Sequence, residues 1–207
     1  MASGNGFETG AGLLKECQAL FDWWERFASS LPGTGLMFTW AFAEAIAWPI
    51  IPDFLLVLMV AGNRQRFYVP LTAAIVGSAL GGIAIFLFAY WAPDQALHYL
   101  QHLPLIRDAQ IQTAARRLED HGAVALLLQP WSGTAFKVWG VMAGFQSMEP
   151  WLVIPAFIIA RAVRMALWAM LVRVAVGLFA DFFRNFSIFI LIAYLVLFFY
   201  GWWQVTL

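Results

Sequence analysis

The chain has 207 residues, 62% hydrophobic, 17% aromatic and only 12% charged, with 12 basic residues balancing 12 acidic ones. A soluble domain is about 45–50% apolar and about 25% charged, so this composition excludes a surface mostly in water and implies one mostly in lipid. Without a basic face or tail a nucleic-acid partner is not expected, and one cysteine, Cys17, excludes an intrachain disulfide or a cysteine-built metal cluster.

In chain order, residues 1–34 read as a polar N-terminus followed by an amphipathic interfacial helix. Residues 1–10 are expected to be disordered. MASGNGFETGAG has no basic stretch leading into an apolar one, so insertion is expected to rely on internal segments. Residues 11–30 place Leu13, Leu14, Cys17, Leu20, Phe21 and Trp24 at helical spacing among charged residues, which predicts a helix lying on the membrane surface.

Residues 35–203 read as one membrane domain. The apolar stretch 35–62 has the length of one crossing, but Glu44, Pro49, Pro52 and Asp53 interrupt it. A proline costs about 3 kcal/mol inside a helix, and a charge at the bilayer centre costs at least about 2.5 kcal/mol. Together they predict a re-entrant hairpin turning at Trp48–Pro52, with a kinked span as the alternative. Residues 68–91 predict a transmembrane helix whose Gly77, Ser78, Gly81 and Gly82 permit close helix contact, and a homodimer through that face. Residues 93–121 read as an amphipathic helix outside the membrane, ending at Gly122. Residues 122–145 form a second interrupted stretch, broken by Pro130, Gly133 and Lys137, and again predict a hairpin. Residues 150–177 and 186–203 predict two further transmembrane helices. The first carries Arg161, Arg164 and Arg173, and the last carries no charge.

The two halves share a layout: a proline-broken stretch, then Ala-Gly, then a polar loop, then a proline opening a full helix. The pairs are Pro49/Pro52, Ala61-Gly62 and Pro70, then Pro130, Ala143-Gly144 and Pro150. From broken-stretch proline to helix-start proline the spacing is 21 residues in one half and 20 in the other. One crossing separates the halves, so the hairpins enter from opposite faces. The expected fold is therefore an all-α polytopic membrane protein with inverted repeats, whose two broken segments meet near the midplane and form a site. Lys15, Arg26, Arg64, Arg66 and Arg184 fall on one side, and Arg107, Arg116 and Arg117, offset by nearby acids, on the other. The excess predicts a cytoplasmic N-terminus and a multi-pass inner-membrane location.

Candidate chemistry lies in the interrupted stretches. Glu44 and Asp53 come from the first; Gln129, Ser132, Thr134 and Lys137 come from the second; Arg161 and Arg164 follow on the next helix. Intramembrane ionisable groups are expensive, usually paired and usually functional, and acids among them serve as proton relays. A guanidinium fork suits a phosphate. Glu44–Lys137 and Asp53–Arg161 are equally readable as static ion pairs. Arg173 and Arg184 suit interfacial anchoring. His98 and His102 stand four apart but lack a third ligand beyond Asp94, so no metal is expected. No nucleophile–base pair is apparent, so an enzyme is not expected.

Phe42-x-Glu44, Pro49-x-x-Pro52-Asp53 and Ala61-Gly62, followed by Gly133-x-x-x-Lys137 and Ala143-Gly144, resemble the hairpin signatures of the DedA membrane proteins, also called the VTT or SNARE-associated Golgi protein superfamily. The likeness covers roughly residues 35–180. It implies two opposed re-entrant hairpins and translocation of phospholipids or undecaprenyl phosphate, in many members tied to the proton motive force. It places the functional residues at Glu44, Asp53 and Lys137, with Arg161 or Arg164. Where many members have Arg-Phe-x-Pro-x-x-Arg, this chain has Gln129-Pro130 and a lone Lys137, which marks a divergent branch. The expected function is a lipid flippase or scramblase acting on an anionic head group, without a cofactor apart from possible proton coupling. A proton-coupled solute or ion transporter and a non-transporting scaffold are the alternatives.

Overall fold

The computed structural model describes residues 5–63 and 65–206, and among them every regular element is helical. Arg64 and residues 1–4 lie outside the described residues. Among the described residues two helices are long and apolar enough to cross a membrane, α4 (Tyr68–Trp91) and α8 (Pro150–Leu178). The expected final span falls on α10 (Ser187–Thr206).

α1 runs Asn5–Ala28, so the helix begins six residues before the expected start and takes in much of the stretch read as disordered. One side of it is packed against the rest of the chain: Cys17 and Ala28 are buried, and the Trp24 indole Nε1 donates to the Leu58 carbonyl at 2.8 Å. α2 (Leu31–Ile46) starts at Ser30, whose hydroxyl accepts from the Gly33 amide at 3.2 Å, with Pro32 in the first turn. This is a favoured helix start. Pro49 and Pro52 then stop the helix, because proline has no amide hydrogen and disfavours helical geometry in the residue before it. Residues 47–52 are non-helical, and α3 begins at Asp53 and ends at Gly62.

α4 sets the direction of its neighbours. Phe38 and Phe42 of α2 face Gly77 and Gly81 of α4; numbering rises together along both, so α2 runs parallel to α4. A Cβ on Gly81 would lie 2.6 Å from the Phe42 carbonyl oxygen, so the contact is backbone against backbone. α3 brings the chain back: the Asn63 amide donates to the Glu25 carbonyl at 3.3 Å and to the Ser29 hydroxyl at 3.4 Å. The segment therefore starts and finishes at the Tyr68 end of α4. The glycine face expected to permit a dimer is spent on this internal contact.

The stretch read as one helix over 93–121 is two, α5 (Pro93–Gln101) and α6 (Asp108–His121). Between them Pro104 restricts the backbone and Leu105 has a φ of 69°. After Gly122, a 3₁₀ helix covers Gly122–Trp131, unusually long for that geometry. A turn holding Gly133 at φ 71°, where a side chain would be strained, leads into α7 (Phe136–Phe145). Phe136 faces Gly82, and Gly144 faces Phe86 and Tyr90, so α7 also runs parallel to α4. At its end the Gln146 amide donates to the Ala115 carbonyl of α6 at 3.0 Å. This second broken segment thus starts and finishes at the Trp91 end of α4. α8 returns past both. α9 (Ala180–Asn185) and α10 follow, and the Tyr194 hydroxyl of α10 donates to the Phe54 carbonyl.

The apolar core falls into two clusters. One gathers Phe86, Phe136, Trp139 and Phe157 toward the Trp91 end. The other gathers Met37, Leu56, Met59 and Met165 toward the Tyr68 end. Their boundary lies near Gly81 and Gly82, the mid-height of α4, where both broken segments turn.

Candidate functional site

The charged residues occupy that boundary. On α2, Glu44 lies between Ala41 of one cluster and Ala45 of the other. On α8, Arg161 lies between Phe157 of one and Met165 of the other. Glu44 and Arg161 pair directly, with their side chains 4% and 1% exposed. The Arg161 guanidinium also stacks on the Phe136 ring, 4.1 Å from its centroid. Arg161 is thus held by α2 on one side and α7 on the other.

One turn further along α8, Arg164 donates from Nε (3.0 Å) and Nη2 (2.5 Å) to a single oxygen of Asp53, Oδ2. The other oxygen, Oδ1, is buried without a hydrogen-bond partner. Asp53 opens α3, where a carboxylate also meets the positive end of the helix dipole. The pairs read from sequence as Glu44–Lys137 and Asp53–Arg161 are therefore corrected: each acid pairs with an α8 arginine, Glu44 with Arg161 and Asp53 with Arg164. An i, i+3 spacing puts both guanidinium groups on one helix face, and the two acids come from either side of the same break.

Lys137, 4% exposed, sends its ammonium to the Trp48 carbonyl at 2.8 Å. Pro49 and Pro52 are what leave that carbonyl outside a helix, so a break in one half accepts a cation from the other. Glu44 and Arg161 are also within electrostatic reach of Lys137. In the second break, Gln129 donates to the Thr134 carbonyl at 3.1 Å and the Ser132 hydroxyl to the Gln129 carbonyl at 2.8 Å. These two residues with Pro130 and Gly133 shape the turn and leave Lys137 at its exit.

The two pairs differ in access. Arg161 is sealed, whereas the Arg164 side chain is 21% exposed. Arg164 stands at one end of a groove of about 710 Å³ between α8 and the end of the 3₁₀ helix, lined otherwise by Pro130, Trp131, Leu167, Trp168, Met170, Leu171 and Val174. Of these, the sequence singled out Pro130 as a helix breaker and none of the others. The α8 members recur at i+3, i+4, i+6, i+7 and i+10 from Arg164, which marks one side of the helix, but any lipid-facing stripe has the same pattern.

The remaining polar candidates lie elsewhere. Arg173 places its guanidinium 4.8 Å from the Phe67 ring centroid. Arg184 is on α9. His98 and His102 are exposed, with ring centroids 4.2 Å apart, and no group of three or more metal-ligating side chains occurs among the described residues. Comparison with family models, curated proteins and solved structures returns no match for this chain.

Proposed function

We propose that the chain is a multi-pass inner-membrane lipid translocase of the DedA type, built from two inverted re-entrant hairpins, which carries phospholipid or undecaprenyl-phosphate head groups past a charged layer at mid-depth. The observation that carries this reading is the set Glu44–Arg161, Asp53–Arg164 and Lys137–Trp48 O at the junction of the two apolar clusters. Charges at that depth are expensive, and the two broken segments and α8 bring five of them to one layer. The return of each broken segment to the end of α4 where it began favours hairpins over spans, and the opposite ends favour inversion. The basic residues near the first hairpin favour a cytoplasmic N-terminus.

In this mechanism a phosphate competes with Asp53 and Glu44 for the α8 guanidinium groups, and Lys137 adds a third cation. Coupling of head-group passage to the proton motive force is part of this reading. Translocation of a head-group-labelled lipid in reconstituted vesicles tests the reading, comparing wild type with Glu44→Gln and Lys137→Gln. Activity in wild type that both variants lose is expected. Folded wild type with no translocation overturns it, and proton flux on addition of a solute would then favour a solute transporter.

A further inference from the structure

We propose that the groove beside Arg164 is a lateral seat for one acyl chain of an anionic phospholipid from the surrounding bilayer, with the lipid phosphate on Arg164 at its inner end. The proposal rests on the translocase reading and deepens it by giving the two arginines an order: Arg164 meets the incoming head group, and the sealed Arg161 stays paired with Glu44 until the head group reaches the layer.

Three observations support it. First, Arg164 is the partly open member of two otherwise similar pairs: its side chain is 21% exposed, against 1% for Arg161. A guanidinium open to an apolar groove at the middle of a 29-residue apolar helix has five N–H donors, and Asp53 accepts from Nε and Nη2 through one oxygen only, which leaves donors for a further acceptor. Second, the groove has the length of one leaflet. From Arg164 to Val174 α8 rises about 15 Å, half of the roughly 30 Å hydrocarbon core. Third, its flanks suit a chain rather than a solute. Leu167, Leu171 and Val174 are 56–60% exposed and carry no polar group, and the tryptophans beside them add no more than an indole N–H each, so a hydrophilic solute would find few partners beyond Arg164. The two requirements, an anion at the deep end and hydrocarbon along the walls, are met together by an anionic lipid. The lateral opening lets the chain stay in its own leaflet while the phosphate reaches mid-depth.

The test uses the full chain in phosphatidylcholine vesicles doped with phosphatidic acid carrying a photoreactive group on its acyl chain. Crosslinks are mapped by mass spectrometry, with the same chain on a phosphatidylcholine head group as reference. Labelling at Leu167, Leu171 or Val174 is expected to be several-fold higher for phosphatidic acid. Arg164→Gln is expected to lower it about tenfold, since charge-assisted bonds to phosphate are lost. Equal labelling by both lipids, or labelling undiminished in Arg164→Gln, overturns the proposal and leaves an ordinary lipid-facing surface. Should Arg164→Gln not fold, Val174→Trp fills the groove while keeping the Arg164–Asp53 pair; it is expected to remove the preference, and an intact preference overturns the proposal. Translocation measured on the same vesicles separates the two readings. Head-group-dependent labelling without translocation sinks the translocase and leaves the seat standing. Translocation with equal labelling does the reverse.

Discussion

Neutralising Glu44 alone isolates the energetics of the charged layer. In Glu44→Gln the carboxylate is gone and the Arg161 guanidinium stays at 1% exposure. Removing one partner of a buried pair costs about 3–5 kcal/mol, because the other charge is left dry and uncompensated. The Phe136 ring, 4.1 Å from the guanidinium carbon, still faces it, and a desolvated cation–π contact is worth about 2 kcal/mol. The loss should therefore sit near the lower end, about 3 kcal/mol, or roughly 6–12 °C in Tm for a chain of this size. Replacing both partners, Glu44→Leu with Arg161→Met, removes the stranded charge along with the pair, and such replacements are often neutral or stabilising. The double variant should therefore be more stable than either single one, while losing activity if the layer is the transport path. Thermal unfolding of purified protein in detergent or lipid provides the measurement. A Glu44→Gln variant within about 1 kcal/mol of wild type, as for a solvated pair, would refute the reasoning. So would a double variant no more stable than its parents.

Four further outcomes follow from the same contacts. Gly81→Ala should destabilise by about 1–3 kcal/mol through overpacking, since its Cβ would lie 2.6 Å from the Phe42 carbonyl and 2.7 Å from Ala45 Cβ; Gly35→Ala, with nothing within 4 Å, is the control and should be neutral or slightly stabilising in the same melts. Arg164→Gln should lower Tm less than Arg161→Gln, because its side chain is 21% rather than 1% exposed; an equal loss would contradict the division between them. Cys17, 1% exposed, should resist a maleimide dye in the native protein and react on unfolding, and rapid native labelling would show that α1 is not packed as described. In a Cys17→Ala background, cysteines at Ser29 and Gln65 should react with an impermeant reagent from the same face of the membrane; opposite faces would mean that residues 31–62 span it.

Much of the helical layout was legible in the residues themselves. Proline removes a donor and restricts its predecessor wherever it occurs, so Pro49 and Pro52 mark the break before Asp53 without any knowledge of neighbours. Pro130 and Gly133 do the same for the second break. Gly122 stops α6 because its φ of 60° is easiest for glycine. The apolar length of 68–91 and 150–177 likewise needs no tertiary context to suggest a crossing. Less legible were the ends and bends. α1 extends back through polar residues of weak periodicity, and the break after Gln101 comes from the loop around Pro104 and Leu105 rather than from any change in amphipathic pattern.

The candidate site divides the same way. Composition and position single out Glu44, Asp53, Lys137, Arg161 and Arg164, because ionisable groups are rare in apolar stretches whatever the fold. Which acid meets which base is a matter of distance across 111 and 117 residues, set by the parallel run of α2 beside α4 and by the rotation of α8, and neither is encoded in local spacing. The Trp48 carbonyl that holds Lys137 is a backbone atom, with no residue type to betray it. The groove beside Arg164 exists only because the 3₁₀ helix ends against α8, where Trp131 and Leu171, forty residues apart in sequence, line the same space. Local chemistry determined where the chain must bend and which residues are costly to bury; the packing of distant helices alone decided which charges are sealed and which one stays open.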